Sequence, residues 1–168
     1  MTSQVGLLIL AMAMIGFLLV FRAHFAVFIA KGDSMLPGLQ SGDLVLVDKL
    51  AFRTKNPERG DIVVARDRDE LIIKRVVGLP GEEVELRQGE LYVNQHPHSE
   101  KYAVEPGWLN LGKGRLLENK YALLGDNRSV SRSVFVHAVA SKDQMLGKVI
   151  HSLRLRPRWL GSSLNRTT

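Results

Sequence analysis

Leu71-Ile72-Ile73-Lys74-Arg75-Val76-Val77-Gly78-Leu79-Pro80-Gly81 is the stretch that decides the fold. A run rich in β-branched residues ends on a Gly-Leu-Pro-Gly turn, the pattern of a strand and its stop. The flanking sequence repeats it. Asp43-Leu44-Val45-Leu46-Val47-Asp48 and Asp61-Ile62-Val63-Val64-Ala65 are apolar runs of strand length, the second entered through a turn from Pro57 to Gly60. Glu83-Val84-Glu85-Leu86 alternates, and Glu90-Leu91-Tyr92-Val93-Asn94 follows across Gln88-Gly89, which predicts a hairpin. Lys120-Tyr121-Ala122-Leu123-Leu124 leads into Gly125-Asp126-Asn127, and Met145 to Leu153 is a last strand candidate. Such density predicts a mainly β domain over residues 31–155, with a coiled or barrel-like sheet. The polar segment 95–119 is expected to be a flexible insertion. Residues 156–168 are expected to form a basic tail, disordered towards its end.

The N-terminus departs from this pattern. Val5 to Phe21 carries no charge, at the short end of the roughly 17–25 residues that span a bilayer. Apolar character resumes from Phe25 to Ala30. With Arg22 and His24 snorkelling, the helix is expected to run on, tilted, as far as Lys31. Residues 1–30 therefore read as a single-pass membrane anchor. A cleaved signal peptide is the rival reading. However, Met1-Thr2-Ser3-Gln4 lacks a basic n-region, and Ala23-His24-Phe25-Ala26 lacks the A-x-A spacing. Arg22 and Lys31 follow the span, so the positive-inside rule alone would keep the C-terminal body in the cytoplasm. A long folded domain crosses regardless of flanking charge.

Composition narrows the chemistry. The 168 residues, 45% hydrophobic, suffice for one domain with a core. The absence of cysteine excludes a thiol nucleophile, disulfides and thiolate metal sites. His24, His96, His98, His137 and His151 show no metal-ligand spacing, so no metal and no cofactor are expected. The net charge of +6 admits a nucleic-acid partner. The basic residues are scattered without interleaved aromatics, so no such partner is expected. Arg154, Arg156 and Arg158 beside Trp159 suit an anionic lipid surface or a plain solvated tail.

Two residues remain that together carry chemistry. A serine attacks only when a base takes its proton. Taken singly, Gly32-Asp33-Ser34 is an ordinary turn leaving the membrane, and a strand lysine is ordinarily solvated. Ser34 is nonetheless followed by the stiff apolar Met35-Leu36-Pro37, and Gly32 permits close backbone approach. The Ser34 N–H is a candidate oxyanion donor. Lys74 shares a strand face with Ile72 and Val76. If that face is the core, burial lowers the lysine pKa, and the neutral amine can serve as base. Arg75 lies on the opposite face and keeps its charge.

Four boxes occur in order: Gly32-Asp33-Ser34-Met35-Leu36-Pro37, Arg59-Gly60-Asp61-Ile62-Val63, Lys74-Arg75-Val76-Val77-Gly78-Leu79-Pro80-Gly81 and Gly125-Asp126-Asn127-Arg128. With the preceding anchor, they resemble the signature boxes of the type I signal peptidases over about residues 30 to 150. The resemblance implies a membrane-bound serine endopeptidase that removes signal peptides from exported pre-proteins on the extracytoplasmic side. It implies Ser34 as nucleophile, Lys74 as general base, Ser131 as a hydroxyl orienting the lysine, Asp126 as a structural acid and Ile73 as a wall of the pocket before the cut. Gly32 stands where some relatives have a serine, and Gly38 where a threonine is common. Ser133 stands where an aspartate would pair with Arg75, which leaves Arg75 to Asp126 or to solvent.

An extended substrate is expected to add to a sheet edge, with its −1 and −3 side chains on one face. Met35, Leu36 and Ile73 are the expected substrate contacts, and Met35, Leu36 and Phe28 are expected to graze lipid. The rival functions are a dedicated Ser-Lys protease for one substrate such as a pilin and a non-catalytic scaffold of the same fold. A self-cleaving regulator with a DNA-binding head is disfavoured, because residues 1–30 read as a span.

Overall fold

The structure is a computed structural model, described here over residues 2–129 and 139–154. Helix α1 covers Thr2–His24. Its segment Gln4–His24 has mean hydropathy 2.5, has no fully buried residue along its apolar length, and is long and apolar enough to cross a membrane.

The helix does not continue to Lys31. It stops at His24, and Phe25–Ile29 forms strand β1, antiparallel to β2 (Leu44–Asp48) with Phe25 opposite Asp48 and Ile29 opposite Leu44. The run Phe25 to Ala30 is apolar throughout, so its periodicity favours neither helix nor strand. The partner strand decides. Lys49 completes the break: its N–H donates to the His24 carbonyl at 2.9 Å and its Nζ to the Arg22 carbonyl at 2.6 Å. Both carbonyls belong to the last turn, which a helix leaves without internal donors.

A short helix α2 (Ala51–Thr54) buries Phe52. The strands then follow as β3 (Ile62–Asp67), β4 (Glu70–Gly78), β5 (Glu83–Arg87), β6 (Glu90–Val93), β7 (His96–Pro97), β8 (Leu111–Arg115), β9 (Lys120–Leu124), β10 (Val139–Ser141) and β11 (Met145–Leu153). Among the described residues, seven strands form one antiparallel sheet in the order β1-β2-β11-β3-β4-β9-β10. Four more form a second sheet in the order β7-β6-β5-β8. The mainly β expectation stands, as does the β5–β6 hairpin, in which Leu86 faces Leu91.

Segment 95–119 is less irregular than its composition implied. It supplies β7 and β8, and β8 pairs with β5. Leu111-Gly112-Lys113-Gly114-Arg115 has too little apolar content to read as a strand. The ladder to β5 holds it.

Three apolar clusters anchor this arrangement. One, under α2, gathers Phe52, Val63, Ala65, Val76, Leu123 and Met145. A second lies between the two sheets around Val77, Leu86, Leu91, Leu116 and Leu124. The third joins Ala30, Met35, Leu39, Val45, Val47 and Val64. That third cluster ties the turn after β1 to the middle of the large sheet, where β3 faces β4.

Candidate active site

Ser34 lies in the turn that leaves β1. Gly32 opens the turn at φ +74°, in the left-handed region that suits glycine. The Leu36 N–H closes it on the Asp33 carbonyl at 3.2 Å. The segment after β9 grips the turn from the other side. The Asn127 N–H donates to the Ser34 carbonyl at 3.1 Å, and Asn127 Nδ2 donates to the Asp33 carbonyl at 3.0 Å. Gly125 packs directly on the Ser34 carbonyl, and a Cβ there would overlap that oxygen. Among the described residues, no acceptor takes the Ser34 N–H.

Lys74 stands on β4 opposite Val63 of β3, only 7% exposed. A 2.6 Å hydrogen bond joins its Nζ to Ser34 Oγ. Burial lowers the Lys74 pKa from 10.5 to about 8, and the negative charge of Asp126 partly opposes that shift. Near pH 8 a large fraction of Lys74 is therefore a neutral amine, within reach of a hydroxyl proton.

Arg75 is also buried. Of the two fates left open by the sequence, pairing with Asp126 is the one found. Arg75 Nε donates to Oδ1 at 2.8 Å and Nη2 to Oδ2 at 2.5 Å, while Nη1 donates to the Gly60 carbonyl at 2.8 Å. Gly38 leaves room for this fork, because a Cβ at that position would stand 2.8 Å from Asp126 Oδ2.

The sequence reading missed three further residues. The Arg75 guanidinium lies 3.9 Å from the centre of the Tyr102 ring. The Tyr102 hydroxyl donates to Glu100 Oε1 at 2.5 Å, and so does Arg128 Nη2. Arg128 is fully buried and also donates to the carbonyls of Gly125 and Gly89. Arg128 closes the last box but suggested no partner. Glu100 and Tyr102 sit in a segment without periodicity, so nothing local marked them.

A cleft of about 1200 Å³ runs up to the Ser34–Lys74 contact. One wall is residues 27 to 32, and the other is the β3–β4 turn with Leu71, Ile72 and Ile73. Among the described residues, β1 is the outermost strand of its sheet. β4 pairs with β9 only from Arg75 onward, so among the described residues β9 leaves the edge of Glu70–Lys74 unpaired. Two strand edges thus border the same cleft.

The expected substrate contacts divide. Ile73 and Gly32 line the cleft, whereas Leu36 falls outside its lining. Met35 lines it too but is a core residue, 4% exposed, with Phe28 packed on the same cluster. This corrects the expectation that Met35 grazes lipid: the turn folds Met35 inward against Val45 and Val64. Val27 and Ile29, 55% and 58% exposed, are the apolar side chains that β1 displays. Ser131 and Ser133 lie outside the described residues, as do Arg156, Arg158 and Trp159. Arg154 is described, and its Nη2 lies 3.5 Å from Asp43 Oδ2. Among the described residues, no group of acidic or imidazole side chains forms a metal site.

A part-buried serine–lysine contact at the end of a cleft, on an antiparallel β fold behind an apolar helix, is the arrangement that a serine endopeptidase with a lysine base requires. Comparison with known proteins gives the family. A model of the family described as signal peptidase, peptidase S26, matches residues 2–153. A probable signal peptidase I-2 of Synechocystis is 36% identical over 124 residues, which cover 69% of this chain and 57% of that protein. A probable signal peptidase I-1 of the same organism is 33% identical over 142 residues, 77% of this chain and 72% of that protein. A crystal structure of a signal peptidase I from Enterococcus faecalis superposes with a TM-score of 0.48 at 27% identity, covering 56% of this chain and 97% of that one. This chain belongs to the signal peptidase family, peptidase S26.

Proposed function

We propose that this chain is a membrane-anchored endopeptidase that removes N-terminal signal peptides from exported pre-proteins, with Ser34 as nucleophile and Lys74 as general base. The observation that carries the reading is the 2.6 Å contact of Ser34 Oγ with a lysine whose pKa is held near 8. A substrate segment lies extended in the cleft between the edges of β1 and β4, its main chain adding to one or both. Small side chains at −1 and −3 then point to the same wall, where Ile73 stands.

Ser34 Oγ attacks the scissile carbonyl while its proton passes to Lys74 Nζ. The Ser34 N–H faces the developing oxyanion. Collapse breaks the C–N bond, and Lys74 returns the proton to the leaving amine. A water then gives its proton to Lys74 and attacks the acyl-enzyme, releasing the signal peptide with a new carboxylate and restoring Ser34. α1 tethers the domain beside membrane-held substrates, with the domain on the extracytoplasmic side and the exposed Val27 and Ile29 of β1 towards lipid.

The test is cleavage of a pre-protein in membranes by the parent, Ser34→Ala and Lys74→Met. The parent cleaves and both variants do not. Unchanged cleavage by Lys74→Met would sink the base assignment. Protection of the C-terminal domain from external protease in spheroplasts would place it on the wrong side.

A further inference from the structure

We infer that Tyr102 and Glu100 are positioning residues of the active site: the Tyr102 ring, held by Glu100, clamps Arg75 onto Asp126 and so fixes Lys74 against Ser34. The inference rests on the reading of Ser34 and Lys74 as the reacting pair, and adds to it residues from a segment outside the four boxes.

Lys74 and Arg75 are neighbours on β4, and Asp126 and Gly125 are neighbours in the segment that grips Ser34. The Arg75–Asp126 fork therefore fastens the strand of the base to the loop of the nucleophile. The ring of Tyr102 lies against the guanidinium of that fork at 3.9 Å. A cation on an aromatic face is attracted by the ring and shielded from water. The ring is held in turn, because its hydroxyl donates to Glu100 Oε1, which also receives Arg128. Arg128 runs back to the Gly125 carbonyl at 2.9 Å and closes the loop of contacts on the residue that packs against Ser34. The backbone follows the same route: the Glu105 N–H donates to the Asp126 carbonyl, and the Arg128 N–H to the Glu105 carbonyl. Burial and Glu100 push the Tyr102 phenol well above its usual range, so it remains a donor throughout the working range of pH.

The clamp also governs the charge that Lys74 meets. Ionisable groups around the cleft that ends at Lys74 come from several elements. In the cleft lining, β4 contributes Glu70, β3 Asp67, the β3–β4 turn Arg68 and Asp69, and the turn after β1 Lys31, while Arg75 and Asp33 adjoin Lys74 and Ser34 in the chain. The segment after β9 contributes Asp126, and Asp126 is the charge that acts on Lys74. Paired in a fork, Asp126 is largely neutralised. Loosened from Arg75, it favours protonated Lys74 and removes the base.

The test uses the full chain in detergent micelles with a signal-peptide substrate, and records kcat and KM from about pH 6 to about pH 11. Thermal melting is recorded alongside. Tyr102→Leu removes the ring; Tyr102→Phe keeps the ring and loses the hydroxyl. For Tyr102→Leu the expected result is a kcat near pH 8 lower by about tenfold, KM within about twofold of the parent, and an ascending limb moved up by about one pH unit. Tyr102→Phe restores the limb and about a third or more of kcat. A parental kcat and limb in Tyr102→Leu overturns the inference. So does a loss of activity with the limb unmoved, which would mark the residue as structural only. If Tyr102→Leu does not fold, Glu100→Gln takes its place. It keeps an oxygen for both donors, and its limb is expected to move the same way by a smaller amount; an unmoved limb overturns the inference. Ser34→Ala runs in parallel. Cleavage by that variant would overturn the reading of the reacting pair, a result distinct from a failure of the clamp.

Discussion

Lys74 is the residue on which the pH dependence turns. Its pKa falls to about 8 because burial disfavours the ammonium. In the proposed mechanism the working form is the neutral amine, which exists above that value. Activity is therefore expected to rise with pH through about 8 and not through free lysine's 10.5, read from kcat/KM against pH. A limb above pH 10 would mean that Lys74 is solvated in the working enzyme. Gly125 is the second sensitive position. Gly125→Ala sets a methyl group against the Ser34 carbonyl. The nucleophile must then shift, and a misplacement of about 1 Å costs on the order of 100-fold in rate. Single-turnover cleavage measures this, and a loss below about fivefold would show that the turn yields freely. Asp126→Ala leaves Arg75 buried without its carboxylate, a change expected to cost about 3–5 kcal/mol in urea unfolding. A change below about 1 kcal/mol would mean that water replaces the partner.

At the level of strands, β1 carries the test of substrate binding. It is the outermost strand of its sheet among the described residues and one wall of the cleft. Peptide binding to Ser34→Ala, which holds substrate without cutting, is expected to slow amide exchange along residues 26–32 and 70–73. Exchange unchanged at both edges would remove the strand-addition model. β1 also marks where sequence reading fell short. Leu71 to Val77 was legible because its β-branched run ends on Gly78-Leu79-Pro80-Gly81. Phe25 to Ile29 was not, because an apolar run next to an apolar helix carries no mark of the change in period. Only β2, with Lys49 closing the helix end, makes it a strand. β8 was hidden for the opposite reason, since its glycines and charges signal a loop and its ladder to β5 is a long-range fact.

For the chain as a unit, the two residues of the proposed pair were readable and the contacts around them were not. Ser34 and Lys74 stand out from their own neighbourhoods. Arg75, Asp126, Tyr102, Glu100 and Arg128 acquire meaning only once β4, β9 and the segment before β8 converge. The anchor is separable by the same logic: α1 has no fully buried residue along its apolar length and meets the domain at its last turn, so its loss uncovers no core cluster. A chain lacking residues 1–24 is expected to cleave a short soluble peptide within about tenfold of the parent, yet to process membrane-held pre-protein far more slowly. Equal rates on both substrates would show that the tether contributes nothing.

The junction at His24 and Phe25 has a geometric consequence. Ten peptide units separate the last residue of α1 from Ser34, and fully stretched they reach about 33–36 Å. Part of that reach is consumed by β1 and by the turn at Gly32. The distance from bilayer to blade is thus written into the covalent chain. On the proposed function the link acts as a gauge: bonds that emerge within that height are expected to be cut, and a bond held farther out is expected to be spared.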